Sequence, residues 1–93
     1  MRTKLDRMIE EHGVSRNLAD RALHLPVADD GHGRYRVGSG TEPGVVYHVR
    51  ANGADWRAWP CDCVAPGACS HQLAAAAYVA TAARRAWRQA VTA

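Results

Sequence analysis

A chain of 93 residues with a formal charge of +3 is long enough for one small domain and too short to bury a deep core. It has no Phe, and its 47% hydrophobic content leans on alanine, which buries little area per residue. No apolar run approaches the ~20 residues of a membrane span and no secretory leader is visible, so a cytoplasmic protein without a membrane partner is expected.

The N-terminus reads as a helical hairpin over residues 1–27. Thr3 and Asp6 resemble a capping box, and Leu5, Met8 and Ile9 fall on one helical stripe. Gly13 suits the end of that helix. Ser15 suits the start of a second, with Leu18, Ala19, Ala22 and Leu23 on one face and Pro26 beyond its end. Two successive helices suggest a helix-turn-helix reader, but the second is short and carries few basic residues, so packing elements are expected.

Residues 28–33 have the composition of a loop. Arg34 to Val37 alternate polar and apolar, residues 38–44 form a Gly- and Pro-bearing turn region, and Val45 to Arg50 is strongly β-prone. Asn52-Gly53 predicts a type I′ hairpin in which Arg50 faces Asp55, Val49 faces Trp56, His48 faces Arg57 and Val46 faces Trp59. Tyr47, Val49, Trp56 and Ala58 would then share an apolar face.

Cys61-Asp62-Cys63 and Cys69-Ser70-His71 come next. Three thiols and an imidazole are the ligand set of a tetrahedral zinc site. In extended chain Cys61 and Cys63 point to the same side and can converge on one ion. Cys69 and His71 sit where a helix begins, and its positive end favours thiolate. Three cysteines cannot all pair in one chain, and a redox pair normally has two intervening residues where each pair here has one. The reading is one structural Zn²⁺ on Cys61, Cys63, Cys69 and His71, contributing to the folding free energy of a thin core. Reduced thiols fit the cytosol.

From Ser70 to Thr92 the chain reads as one helix. Leu73, Ala76, Ala80, Ala83, Trp87, Ala90 and Val91 form its apolar arc, with Leu73 and Trp87 expected against the sheet. Arg85, Arg88, Tyr78 and Gln89 fall opposite, and Arg84 at the boundary. The fold class is therefore α+β: an N-terminal helical pair, a small antiparallel sheet, a zinc-binding loop and a long C-terminal helix. Residues 34–93 form the zinc module, within one compact domain overall.

The strand, the Asn-Gly turn, the two ligand pairs and the small-residue helix His71-Gln72-Leu73-Ala74-Ala75-Ala76 together resemble the SWIM zinc-finger domain, whose pattern is C-x-C, a spacer, then C-x-H. The resemblance spans roughly residues 34–83. It implies a zinc module that acts as a recognition unit, since SWIM-like domains are associated with DNA binding and with protein contacts. Two departures bear on a DNA reading. The residue before the last His of the pattern is often basic and here is Ser70, and the spacer Val64-Ala65-Pro66-Gly67-Ala68 is short.

Two partner classes follow. Lys4 is the single lysine, so Arg carries the positive charge; this suits phosphate, and equally follows from a GC-rich genome. Nucleic-acid (DNA) binding would use Arg84, Arg85 and Arg88 on the helix and Arg50 and Arg57 on the sheet, with Arg34 and Arg36 beside them. A protein-interaction adaptor would instead dock through the helix or the Trp59 face. His12 and His24 are expected to complement helix ends as partly protonated imidazoles, and His48 to lie on the surface. No carboxylate follows a catalytic motif, the His-x-Glu of zinc deaminases is missing, and four protein ligands close a zinc shell. No enzyme and no small-molecule substrate are therefore expected.

Overall fold

The computed structural model describes residues 2–63 and 69–92. The spacer between the two ligand pairs lies outside them, and so does the expectation placed on its length. Helix α1 (Lys4–His12) begins at a reciprocal capping box: the Thr3 hydroxyl accepts the Asp6 N–H at 3.1 Å, and the Asp6 carboxylate accepts the Thr3 N–H at 3.3 Å. It ends at Gly13, whose φ of 62° is left-handed and whose N–H reaches the Ile9 carbonyl. Helix α2 (Arg16–Leu23) starts where the Ser15 hydroxyl accepts the Leu18 N–H at 3.2 Å. Met8, Ala19 and Ala22 are the buried residues of these two helices.

The sheet has three antiparallel strands in chain order, β1 (Val27–Gly31), β2 (Arg34–Gly38) and β3 (Val46–Arg50). β1 falls in the stretch expected to be loop. Asp29 and Asp30 have poor strand propensity, but charged residues are common on an edge strand, where they discourage further pairing. Its hairpin with β2 turns at residues 32–33. The strand ends meet closely at Pro26 and Gly38: the Gly38 N–H donates to the Pro26 carbonyl at 2.9 Å, and a Cβ at Gly38 would stand 2.7 Å from the Pro26 ring.

The Asn52-Gly53 hairpin does not form. β3 pairs with β2, placing Arg50 opposite Arg34, Val49 opposite Tyr35, and His48 opposite Arg36. Residues Trp56–Ala58 form a single 3₁₀ turn, opened by the Asp55 carboxylate accepting the Arg57 N–H. The two tryptophans explain the outcome. In a strand, residues i and i+3 point to opposite faces, whereas in a 3₁₀ turn they eclipse. Only the turn buries both Trp56 and Trp59, and the Trp59 indole N–H then reaches the Gly53 carbonyl at 3.0 Å. The inward and outward alternation expected for β3 is kept: Val49 is buried, Tyr47 half-buried, and Val46, His48 and Arg50 exposed.

Helix α3 (Ser70–Thr92) crosses the inner face of the sheet and packs on α2 and the 3₁₀ turn. Leu73, Ala74, Ala75 and Ala76 are all buried, because small side chains let three elements approach one helix from different sides. At 1.5 Å per residue the helix is about 35 Å long, roughly twice the span of a five-residue strand, so its second half outruns the body. Trp87 is accordingly 71% exposed rather than packed on the sheet. Tyr78, expected on the outward side, is instead half-buried edge-on to Tyr35, with ring centroids 5.7 Å apart. One continuous core takes residues from both N-terminal helices, β2, β3, the 3₁₀ turn and the start of α3.

Candidate metal centre

The first ligand pair is held by β3. The Arg50 N–H donates to the Pro60 carbonyl at 3.1 Å, Cys61 bridges to Val49, and the Asp62 N–H donates to the His48 carbonyl at 3.3 Å. The segment therefore runs as a short antiparallel extension of the sheet. Directly opposed residues share a face, so Cys61 takes the inward side with Val49. Asp62 turns outward, and its carboxylate accepts the backbone N–H of His48 at 2.7 Å and bonds its Nδ1 at 2.9 Å. These two bonds hold the Asp62 carboxyl below its ordinary range. His48 is thus an exposed surface residue that also clamps the loop.

The second pair is held by α3. The Cys69 carbonyl accepts the first helical bond from Leu73 at 3.3 Å, and His71 lies in the first turn, its ring 4.2 Å from that of Tyr47. Gln72 connects the two halves. Its Oε1 accepts the Cys69 N–H at 2.8 Å, and its Nε2 donates to the Trp59 carbonyl at 2.5 Å and the Arg57 carbonyl at 3.4 Å. Among the described residues it is the buried polar one of the core. The sequence signal for it was a Gln three residues after the residue that caps the helix, half of a capping box.

The four donor atoms of Cys61, Cys63, Cys69 and His71 lie within 4.8 Å of one another, and no cysteine is in a disulfide. The His71 Nδ1 is buried and has no hydrogen-bond partner, an arrangement a folded protein rarely leaves without a further interaction. Burial pushes the Cys61 thiol up to about 12, raises Cys69 and lowers His71. Burial thus drives every one of these three toward its neutral form, and a divalent cation at the centre of the cluster would reverse that balance. The residues fit one metal ion. Three sulfur donors and one nitrogen donor would hold it, and its role would be to join the sheet extension to the start of α3.

The arginines expected at a nucleic-acid surface separate into two groups. Arg57 is committed to the fold: it donates to the carbonyls of His12 and Gly13 at 2.8 and 3.1 Å and lies 4.6 Å over the Trp56 ring, tying α1 to the 3₁₀ turn. Arg84 forms a forked pair with Glu11 of α1 at 3.0 and 3.1 Å. Arg85 and Arg88 lie beside it on a groove of about 440 Å³ between α1 and α3, to which α1 adds Lys4 and Arg7. Arg50 is on the outer face of the sheet beside Arg34, not beside Asp55. Among the described residues no helix is long and apolar enough to cross a membrane. Comparison with family models, with curated proteins and with solved structures gives no match.

Proposed function

We propose that the chain is a small non-catalytic zinc module that binds nucleic acid through its phosphates, along the groove between α1 and α3. The observation that carries this reading is the groove's charge. Lys4, Arg7, Arg84, Arg85 and Arg88 line it against one carboxylate, Glu11, which Arg84 already engages. Met8, Leu23 and Ala77 line it as well, so the cations stand beside a low-dielectric surface that strengthens their field. Zinc is the metal that three thiolates and an imidazole in a closed shell suit best. The similarity of the ligand pattern to SWIM domains supports both halves of the proposal.

The metal is tested by elemental analysis of protein purified without added metal, with one zinc per chain expected and a ratio near zero refuting it. The partner is tested by titrating duplex and single-stranded DNA at several salt concentrations. Counterion release should make affinity fall steeply with salt, and the Lys4→Ala/Arg7→Ala/Arg85→Ala variant should flatten the slope by up to ~3 units. A second reading has its own observation: Trp87 and Val91 are 71% and 63% exposed on the part of α3 that outruns the body, as a protein-docking helix would present them. No measurable affinity for either form of DNA at low salt would make that adaptor reading the leading one.

A further inference from the structure

We propose a phosphate-group site on the outer face of the sheet, built on Arg34 and Arg50 and separate from the α1–α3 groove. The two arginines are directly opposed in the β2–β3 register. The Arg50 N–H points away from β2 to the Pro60 carbonyl, while the next pair along exchanges through the Ala51 N–H and the Gly33 carbonyl at 2.7 Å. Arg34 and Arg50 are therefore a non-hydrogen-bonded pair, the kind whose side chains stand closest. Like charges in that position oppose sheet formation.

The neighbouring basic side chains on the same face are each engaged by a carboxylate. Arg36 is bonded to both Asp30 oxygens at 2.9 and 3.0 Å, and His48 is bonded to Asp62. Arg34 and Arg50 are exposed, and among the described residues neither has a carboxylate partner. Both line one cleft of about 630 Å³ with Pro60, with His32 of the β1–β2 turn, and with Asp30 and Asp62, whose carboxylates are already engaged by Arg36 and His48. His32, φ 55°, and Gly33, φ 74°, are the two positive-φ central residues of the β1–β2 hairpin turn, which holds the His32 side chain at the rim of the cleft. Two adjacent guanidinium forks offer paired N–H donors to the oxygens of a phosphate group, whose negative charge offsets the repulsion between them. The phosphate can come from free phosphate or from a nucleic-acid strand, and the chemistry of contact is the same.

The test is an NMR titration of the zinc-loaded chain with inorganic phosphate and, separately, with a short single-stranded oligonucleotide, each repeated on Arg34→Gln and Arg50→Gln. Both substitutions lie outside the core and should leave the fold intact. Saturable shifts centred on residues 33–34 and 49–51, weakened about tenfold in either variant, are expected. Competition between the two probes identifies the strand as the source, and phosphate binding without competition identifies free phosphate. Thermal melts supply an independent readout. Phosphate should raise the melting temperature of the wild-type chain, and Arg50→Gln should be more stable than wild type without phosphate and gain less from it. Shifts at residues 33–34 and 49–51 that are absent with both probes, or that persist unchanged in the variants, overturn the proposal, whereas oligonucleotide shifts in the α1–α3 groove report the separate groove reading. Groove binding would be unaffected by that result, since its variants are Lys4, Arg7 and Arg85.

Discussion

Gln72 is a single residue with consequences for both supports of the ligand cluster. It spends its amide on the Cys69 N–H and on the carbonyls of Trp59 and Arg57, so it fixes the start of α3 against the segment that leads into Cys61. Gln72→Met keeps the length and removes every polar atom. It leaves a buried N–H and a buried carbonyl without partners, at a cost of about 1–3 kcal/mol each. Denaturant unfolding of the zinc-loaded variant should show a loss in that range, and chelator competition should show metal affinity lowered by about tenfold or more. Equal metal affinity in the two proteins would show that the latch does not position the ligands. His12 is a second residue whose setting decides its chemistry. As the last residue of α1 it was expected to carry partial charge, but it stands edge-on to Trp56 at 6.2 Å, and burial holds its pKa below the ordinary 6.5. Between that lowered value and 6.5 the unfolded chain binds more protons than the folded one. Its contribution is complete above about pH 6.5 and is lost as pH falls through the lowered value. Metal release acts in the same direction, so the measurement is a difference: with zinc in excess, stability should fall less between pH 7 and 5 in His12→Gln than in the wild type.

The elements divide into those decided by neighbours in sequence and those decided by distant ones. Both N-terminal helices carry their start and stop signals in adjacent residues: Thr3 with Asp6, Gly13, and Ser15. Those signals act through hydrogen bonds three or four residues long, which is why they could be read directly. The segment from Asn52 to Trp59 could not. Its turn dipeptide and alternating residues fit a hairpin, but burying two tryptophans three apart required a 3₁₀ turn. Helix α3 was legible as a helix and not as a packed surface. Its apolar arc continues to Val91, while its apolar packing on the body ends near Ala80, beyond which Arg84 still reaches Glu11 of α1. Leu73→Ala should therefore cost about 2–5 kcal/mol, as for a fully buried leucine. Trp87→Ala should change stability by no more than about 0.5 kcal/mol. A large loss on Trp87→Ala would place that ring against the body, contrary to its exposure. Amides beyond Thr81 should likewise exchange faster than those of residues 73–77.

At the scale of the whole molecule, the four candidate ligands come from two supports, the extension on β3 and the start of α3, which Gln72 also connects. The core beneath them is small. Leu73, Val37 and Val49 are its largest fully buried side chains, and alanine fills much of the rest. Chelation, or Cys63→Ser, should therefore lower helix content and melting temperature together rather than only weaken metal binding. Circular dichroism with and without chelator checks this, and an unchanged melting profile in the metal-free protein would contradict it. The chain's own order of residues determined the helix caps, the four ligands, the α+β class and the long final helix, because each rests on contacts or periodicities within a few residues. Tertiary structure alone decided the pairing of β3 with β2, the edge strand made of Val27–Gly31, the Gln72 latch, the partial burial of His12 against Trp56, and which arginines support the fold and which face solvent. Those outcomes depend on residues far apart in sequence, such as Arg57 with His12 and Arg84 with Glu11, and no local spacing encodes such encounters.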